Sequence, residues 1–161
     1  ARMLEGGEDP MFIARRLVIF ASEDVGNADP RALQVAVSAM QGVHFVGMPE
    51  ARIVLGQAVT YLASAPKSNR AYLAINAAIA TVKRTGALPV PNHLRNAATD
   101  IAKSMGHGKD YDYPHDHPNH IVDQQYFPDE VDGTVFYEPA SHGNEKLIGE
   151  RLQWWKNQLK K

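Results

Sequence analysis

Four times within the first 86 residues, a helix-starting signal is followed by apolar residues at helical spacing and then by a Gly or Pro stop. Asp9-Pro10 and Asp29-Pro30 each set an N-capping carboxylate before a proline at the first helical position, where the missing N–H costs no hydrogen bond. The first run carries Ile13, Leu17 and Phe20 to about Ser22, short of Gly26, and the second carries Leu33, Val37, Met40 and His44 to Gly47. Leu55, Val59 and Leu62 form the stripe of a third helix ended by Pro66. A fourth begins at Ser68 or Asn69 and places Tyr72, Ile75, Ile79 and Val82 on one face. It closes with Lys83-Arg84 before Gly86, where positive charge suits the C-terminal end of the helix dipole. Short connections make these helices antiparallel or staggered neighbours, and their abundant alanine lets the axes approach closely. The expected fold class is all-α.

Beyond this stack, "ALPVPNHLRN" is a proline-stiffened extended link, and a short fifth helix is predicted from about Asn96 to Met105. Regularity then fails: Pro114, Pro118, Pro128, Pro139 and Gly133 permit only brief extended pieces such as "QQYF" and "TVFYEP". Such a long irregular Pro-rich stretch is expected to wrap over the helices, held by its aromatics. A C-terminal helix follows, capped by Asn144, with Ile148, Leu152, Trp155 and Leu159 on one side. The predicted organisation is one structural domain: a core stack over 1–105, a wrapping segment over 106–143 and a helix over 144–161. The opening "ARMLEGGEDP" reads as the end of a helix that starts upstream, over residues 1–8.

The chain has no cysteine, which excludes disulfides, thiolate metal sites and a cysteine nucleophile. No apolar run is long enough to span a membrane, and the expected location is cytoplasmic. Charge is segregated: the net of −1 conceals +6 over residues 67–109 and −9 over residues 110–150.

Two constellations carry chemical possibilities. In "YDYPHDHPNH", His115 and His117 alternate as two ligands of one metal would, with Asp112, Asp116 or His120 available to complete a shell. Against this, the loop has no regular element to preorganise ligands, and a polar surface loop explains the same residues. The basic block is the stronger signal. Lys67, Arg70, Lys83, Arg84, Arg95, Lys103 and Lys109 occur with one acid, Asp100, and suit DNA phosphates or an acidic partner. The acidic stretch folding over them, within one protomer or between two, is the competing explanation. No phosphate-binding G-x-x-x-x-G-K-[ST] is present: Gly108-Lys109 is followed by Asp110 and lacks the upstream glycine. Glu8-Asp9 and Ser22-Glu23-Asp24 read as capping and dipole groups, and His44 as a core or interface residue. No catalytic residue, cofactor site or metal site is expected in this chain.

Taken in order, "RMLEGGEDPMFIARRLVIFASEDVGNADPRAL", "YLASAPKSNRAY", "VPNHLRNA" and "GKDYDYPHDHPNHIVDQQYFPDE" resemble the C-terminal region of an AAA+ ATPase family, that of bacterial replication-associated recombination protein A (RarA, also MgsA), with the Werner-helicase-interacting ATPase as a eukaryotic relative. The resemblance covers about residues 2 to 139. It implies a helical collar like that of clamp-loader C-terminal domains, assembling a homotetramer. It also implies an upstream ATPase core that binds ATP and Mg2+, action at stalled replication forks or gapped DNA in a bacterial nucleoid, and single-stranded DNA-binding protein and forked or single-stranded DNA as partners. Tyr113, Pro114, His115, Asp116, Gln124, Gln125 and Tyr126 match the family word, whereas His117 and His120 fall outside it. His115 and Asp116 are thereby expected as structural anchors of the loop.

Overall fold

Asp9 caps the first long helix as its position predicts, its carboxylate accepting from the Met11 N–H at 2.9 Å with Pro10 at the first helical position. In the computed structural model, which describes residues 1–159, this is α2 (Pro10–Phe20), preceded by the single turn α1 (Arg2–Glu5). α2 runs into a π-helical turn, Ala21–Val25, and a 3-10 turn, Gly26–Ala28, rather than stopping at Ser22. Then come α3 (Arg31–Val46), α4 (Ala51–Ser64) and α5 (Arg70–Thr85). The fifth predicted helix shrinks to α6 (Asp100–Ser104), because Thr99 supplies the cap by accepting from the Ala102 N–H at 3.1 Å. α7 (Gly143–Leu159) closes the chain, and Asn144 lies inside it rather than capping it. The protein is all-helical, with no strand among the described residues; "QQYF" and "TVFYEP" form no regular element.

The chain divides into two compact units. One comprises Ala1–Asn76 with Tyr137–Glu150, the other Ala77–Phe136 with the stretch from Arg151 onward. In the first unit α2, α3 and α4 pack on one another, and the face they share is built largely of alanine. Ala32, Ala36, Ala39 and Val43 are the buried residues of α3, and Ala51, Leu55, Ala58 and Leu62 those of α4. The α3 stripe read from the sequence (Leu33, Val37, Met40, His44) therefore lies one residue away from the buried one, leaving Leu33 and His44 exposed. Alanine wins the interior because a methyl group lets two helix backbones approach where a leucine would hold them apart. Two clusters result: Ala21, Val25, Ala32, Ala36 and Leu62 at one end, and Ala14, Val43, Ala51 and Leu55 at the other.

The second unit is irregular between its helical pieces. The pair Gln124 and Gln125 organises it. Gln124 donates to the Asp112 carbonyl at 2.9 Å, and the Gln125 carbonyl accepts from His93 Nε2 at 2.7 Å. Gln125 Nε2 also donates to Asp129 Oδ1 at 2.7 Å.

Candidate interaction surface

α5 begins where Ser68 Oγ accepts from the Arg70 N–H at 3.3 Å, and it ends at Gly86, whose φ of +73° suits glycine. Its two faces are unusual. Ala71, Ala74, Ala78, Thr81 and Thr85 are half-buried, whereas Tyr72, Ile75, Ile79 and Val82 are 43%, 56%, 45% and 61% exposed. The predicted apolar stripe exists, and it points outward. No residue of α5 is buried, and no other helix packs closely along it. A lone helix of this length is marginal in water and draws its stability from burying an apolar face, which α5 does not do within this chain.

The start of α5 is fixed by a buried carboxylate that sequence inspection assigns only to the acidic stretch. Glu145, in the first turn of α7, is 0% exposed. Its Oε2 accepts from Ser68 Oγ and from the Ala140 N–H, each at 2.7 Å, and its Oε1 accepts from the Tyr137 hydroxyl at 3.0 Å. Among the described residues no cation pairs with it; three hydrogen bonds and the positive end of the α7 dipole hold the carboxylate. Tyr137 in turn accepts from Asn27 Nδ2 at 3.2 Å, and His142 Nε2 donates to the Lys67 carbonyl at 2.7 Å. Burial pushes the Tyr137 phenol up, with the Glu145 carboxylate adding to the rise against the opposing Asn27 amide. Two glycines make the close approach possible. A Cβ on Gly26 would sit 2.6 Å from the Ser68 carbonyl oxygen, and one on Gly143 2.5 Å from that of Ala28, at φ of +52° and +57°. Segments 24–29, 66–69 and 137–145 are thus clasped together. A glutamate in a helix's first turn is a legible signal of dipole stabilisation; its partner Ser68, far away in sequence, is not.

Asp29 forms a second buried anchor, accepting from the Arg31 N–H at 3.1 Å, from Arg31 Nε at 3.2 Å and from the Tyr61 hydroxyl at 2.6 Å. Burial opposes its charge, but the Tyr61 and Arg31 donors outweigh that and hold the carboxyl below its ordinary range.

The seven basic residues do not act alike. Lys67 Nζ donates to the α4 carbonyls of Leu62 at 2.9 Å and Ala63 at 3.2 Å and also to the Ala65 carbonyl, so it caps a helix end. Arg95 Nε donates to the Val90 carbonyl at 2.6 Å, and Lys103 lies 3.5 Å from Asp100. Arg70, Lys83, Arg84 and Lys109 are exposed and make no ion pair among the described residues. Lys67 and Arg70 belong to the first unit and the other five to the second. No ion pair joins residues 67–109 to residues 110–150 among the described residues.

In the His-rich loop, the His115 ring lies 5.1 Å from that of Tyr113 and 4.7 Å from that of His120, tilted by 46° and 51°, while Asp116 is exposed in a 3-10 turn. His117, outside the family word, makes the loop's closest polar contact, its Nε2 lying 2.6 Å from Asp112 Oδ1. Among the described residues no three His, Asp or Glu side chains gather to hold a metal.

An alanine-cored helical bundle, continued by a helix whose large apolar residues face solvent, defines an all-helical module with an exposed apolar face. Residues 1–156 match the family model described as "MgsA AAA+ ATPase C terminal", and the chain belongs to that family. It is 47% identical to replication-associated recombination protein A of Escherichia coli K12 over 96% of its own length and 35% of that relative. It is 44% identical to the protein of the same name from Bacillus subtilis, over 89% of this chain and 34% of that one. A eukaryotic relative, ATPase WRNIP1 of Dictyostelium discoideum, is 44% identical over 85% of this chain and 16% of its own length. The chain thus spans about a third of the bacterial relatives it matches. No described helix is long and apolar enough to cross a membrane.

Proposed function

We propose that this chain is the homotetramerisation and scaffolding domain of a DNA-dependent AAA+ ATPase that acts in replication-fork maintenance and recombination. On this reading, ATP and Mg2+ are bound by an upstream core. The outward apolar face of α5 carries the proposal, and the surface area supports it. The chain exposes 11210 Å2, against about 8,000 Å2 for a monomeric globular protein of 161 residues. Even two separately folded bodies of the two units' sizes would together expose only about 9,600 Å2. The surplus of roughly 1,600 Å2 is about twice what one partner contributes to a standard interface, enough for each copy to meet two neighbours. Static light scattering at micromolar concentration tests this: four times the chain mass is expected, and a monomer would overturn it.

A second reading rests on the exposed, unpaired Arg70, Lys83, Arg84 and Lys109, which suit the phosphates of forked or single-stranded DNA. It predicts oligonucleotide binding that weakens with salt and with Lys83→Glu plus Arg84→Glu; absence of binding at low salt excludes it. Single-stranded DNA-binding protein is a further partner proposed from the family resemblance, together with a nucleoid-associated, cytoplasmic location. Capture of that protein by the immobilised chain is the corresponding measurement.

A further inference from the structure

Resting on the tetramerisation reading, we propose that the outer face of α5 is the contact surface itself, and that it seats on the acidic segment 123–136 of a second copy of the chain. The occupant follows from chemistry already described. α5 contains no acidic residue, so any pairing of α5 with α5, parallel or antiparallel, brings only the cations Arg70, Lys83 and Arg84 together. The apolar stripe therefore needs a different surface, one that offers apolar area together with negative charge. Segment 123–136 does so: it carries Asp123, Asp129, Glu130 and Asp132, all exposed, and no Lys or Arg. Alongside these acids Tyr126 and Val135 are 53% and 59% exposed.

Within one protomer the two surfaces are neighbours but do not satisfy each other. Phe127, Pro128, Val131 and Phe136 turn toward the Ala78, Thr81 and Thr85 side of α5 and reach the edge of the stripe at Val82, lining with it an open apolar pocket of about 400 Å3. That contact leaves the acids, Tyr126 and Val135 outside it, just as it leaves Ile75 and Ile79 outside. The stripe and the acidic back of the segment are thus complementary in polarity and charge and unpaired in the same molecule, which is what two copies need to join.

The test is sedimentation and light scattering of the whole chain with Ile75→Asp plus Ile79→Asp, with helical content followed by circular dichroism. Both residues are solvent-facing in the protomer, so the expected result is unchanged helicity and loss of the tetramer. Because an α5 variant can perturb the helix itself, charge reversal supplies a second arm. Lys83→Glu with Arg84→Glu is expected to raise the dissociation constant at least tenfold at low salt, and adding Glu130→Lys with Asp132→Lys, both exposed and outside the Gln125–Asp129 bond, to restore it. A tetramer that survives the Ile75/Ile79 change, or a reversal that the second pair does not rescue, overturns this inference while leaving the tetramerisation reading intact. A wild-type chain that is monomeric sinks that reading and the inference together.

Discussion

The α2–α4 bundle and α5 use small residues in the same way and large ones in opposite ways. In both, alanine faces inward so that backbones can approach. In the bundle, a few larger side chains complete the interior: Leu62, Leu55, Val25 and Val43 are all at most 3% exposed. In α5 no large residue is buried, and five large apolar ones, Tyr72, Leu73, Ile75, Ile79 and Val82, are exposed. The difference separates two sources of stability. The bundle's is internal to the protomer, and that of α5 awaits a surface outside it. The clasp around Glu145 joins these regimes, because it fixes Ser68, just ahead of α5, to the π-helical turn after α2 and to α7 without covering the helix that follows.

The comparison breaks most visibly at the bundle. Leu62→Ala is expected to cost about 2–5 kcal/mol, through lost burial and the cavity left behind, in urea unfolding. Gly143→Ala is expected to fall in a similar range, since a methyl group 2.5 Å from the Ala28 carbonyl forces the clasp apart at a backbone angle that alanine rarely adopts. Next comes the clasp's hydrogen bonding. Glu145→Ala strands the Ser68 hydroxyl and the Ala140 N–H, for a loss of about 1–3 kcal/mol per stranded group, and Glu145→Gln, which keeps the shape, should lose less. Hydrogen exchange is then expected to show faster opening of the first turn of α5 in Glu145→Ala than in the unaltered chain, with the middle of the helix unchanged.

On α5 the expectation inverts. Ile79→Ser should change the stability of the dissociated protomer by no more than about 0.5 kcal/mol, as for other exposed positions, yet lower the concentration-dependent melting temperature of the assembled form. A protomer as badly destabilised as Leu62→Ala would mean that α5 is covered within its own chain. The smallest effect is electrostatic. Asp29 has a folded pKa below its unfolded value, so its contribution is fully present above about pH 3.9 and is lost as pH falls through the lower folded value. Asp29→Asn should therefore unfold more easily than wild type at pH 7 and converge with it in acid. Tyr61, raised by donating to Asp29, and Tyr137 shift the opposite way, so their contributions fade only as pH climbs beyond about 10.

Much of this fold was legible. Asp9-Pro10, Ser68 and Gly86 mark helix ends because capping is settled within about four residues of chain, the range over which sequence is read directly. Asn96 failed as a start because Thr99, three residues on, supplies the bonding oxygen. The α3 stripe was displaced by one residue because an alanine row and a row of large residues share the same 3.6 period, and periodicity alone does not say which one lies against a neighbour. Of the basic residues, sequence grouped seven. Packing set Lys67 and Arg95 on backbone carbonyls and left Arg70, Lys83, Arg84 and Lys109 free of ion pairs. In the loop, Gln124 and Gln125 from the family word hold the backbone, and so does His117, which the word omits, through Asp112.

By itself, then, the sequence determined an all-helical chain, the places where its long helices begin and end, the exclusion of thiol chemistry, and membership in one ATPase family. These follow from local bonding, composition and word order. Tertiary structure alone decided that Glu145 is buried against the distant Ser68 hydroxyl and that the apolar stripe of α5 faces outward. Both depend on which surfaces meet across scores of residues, and a helix carries the same pattern whether its apolar face closes on its own chain or on another.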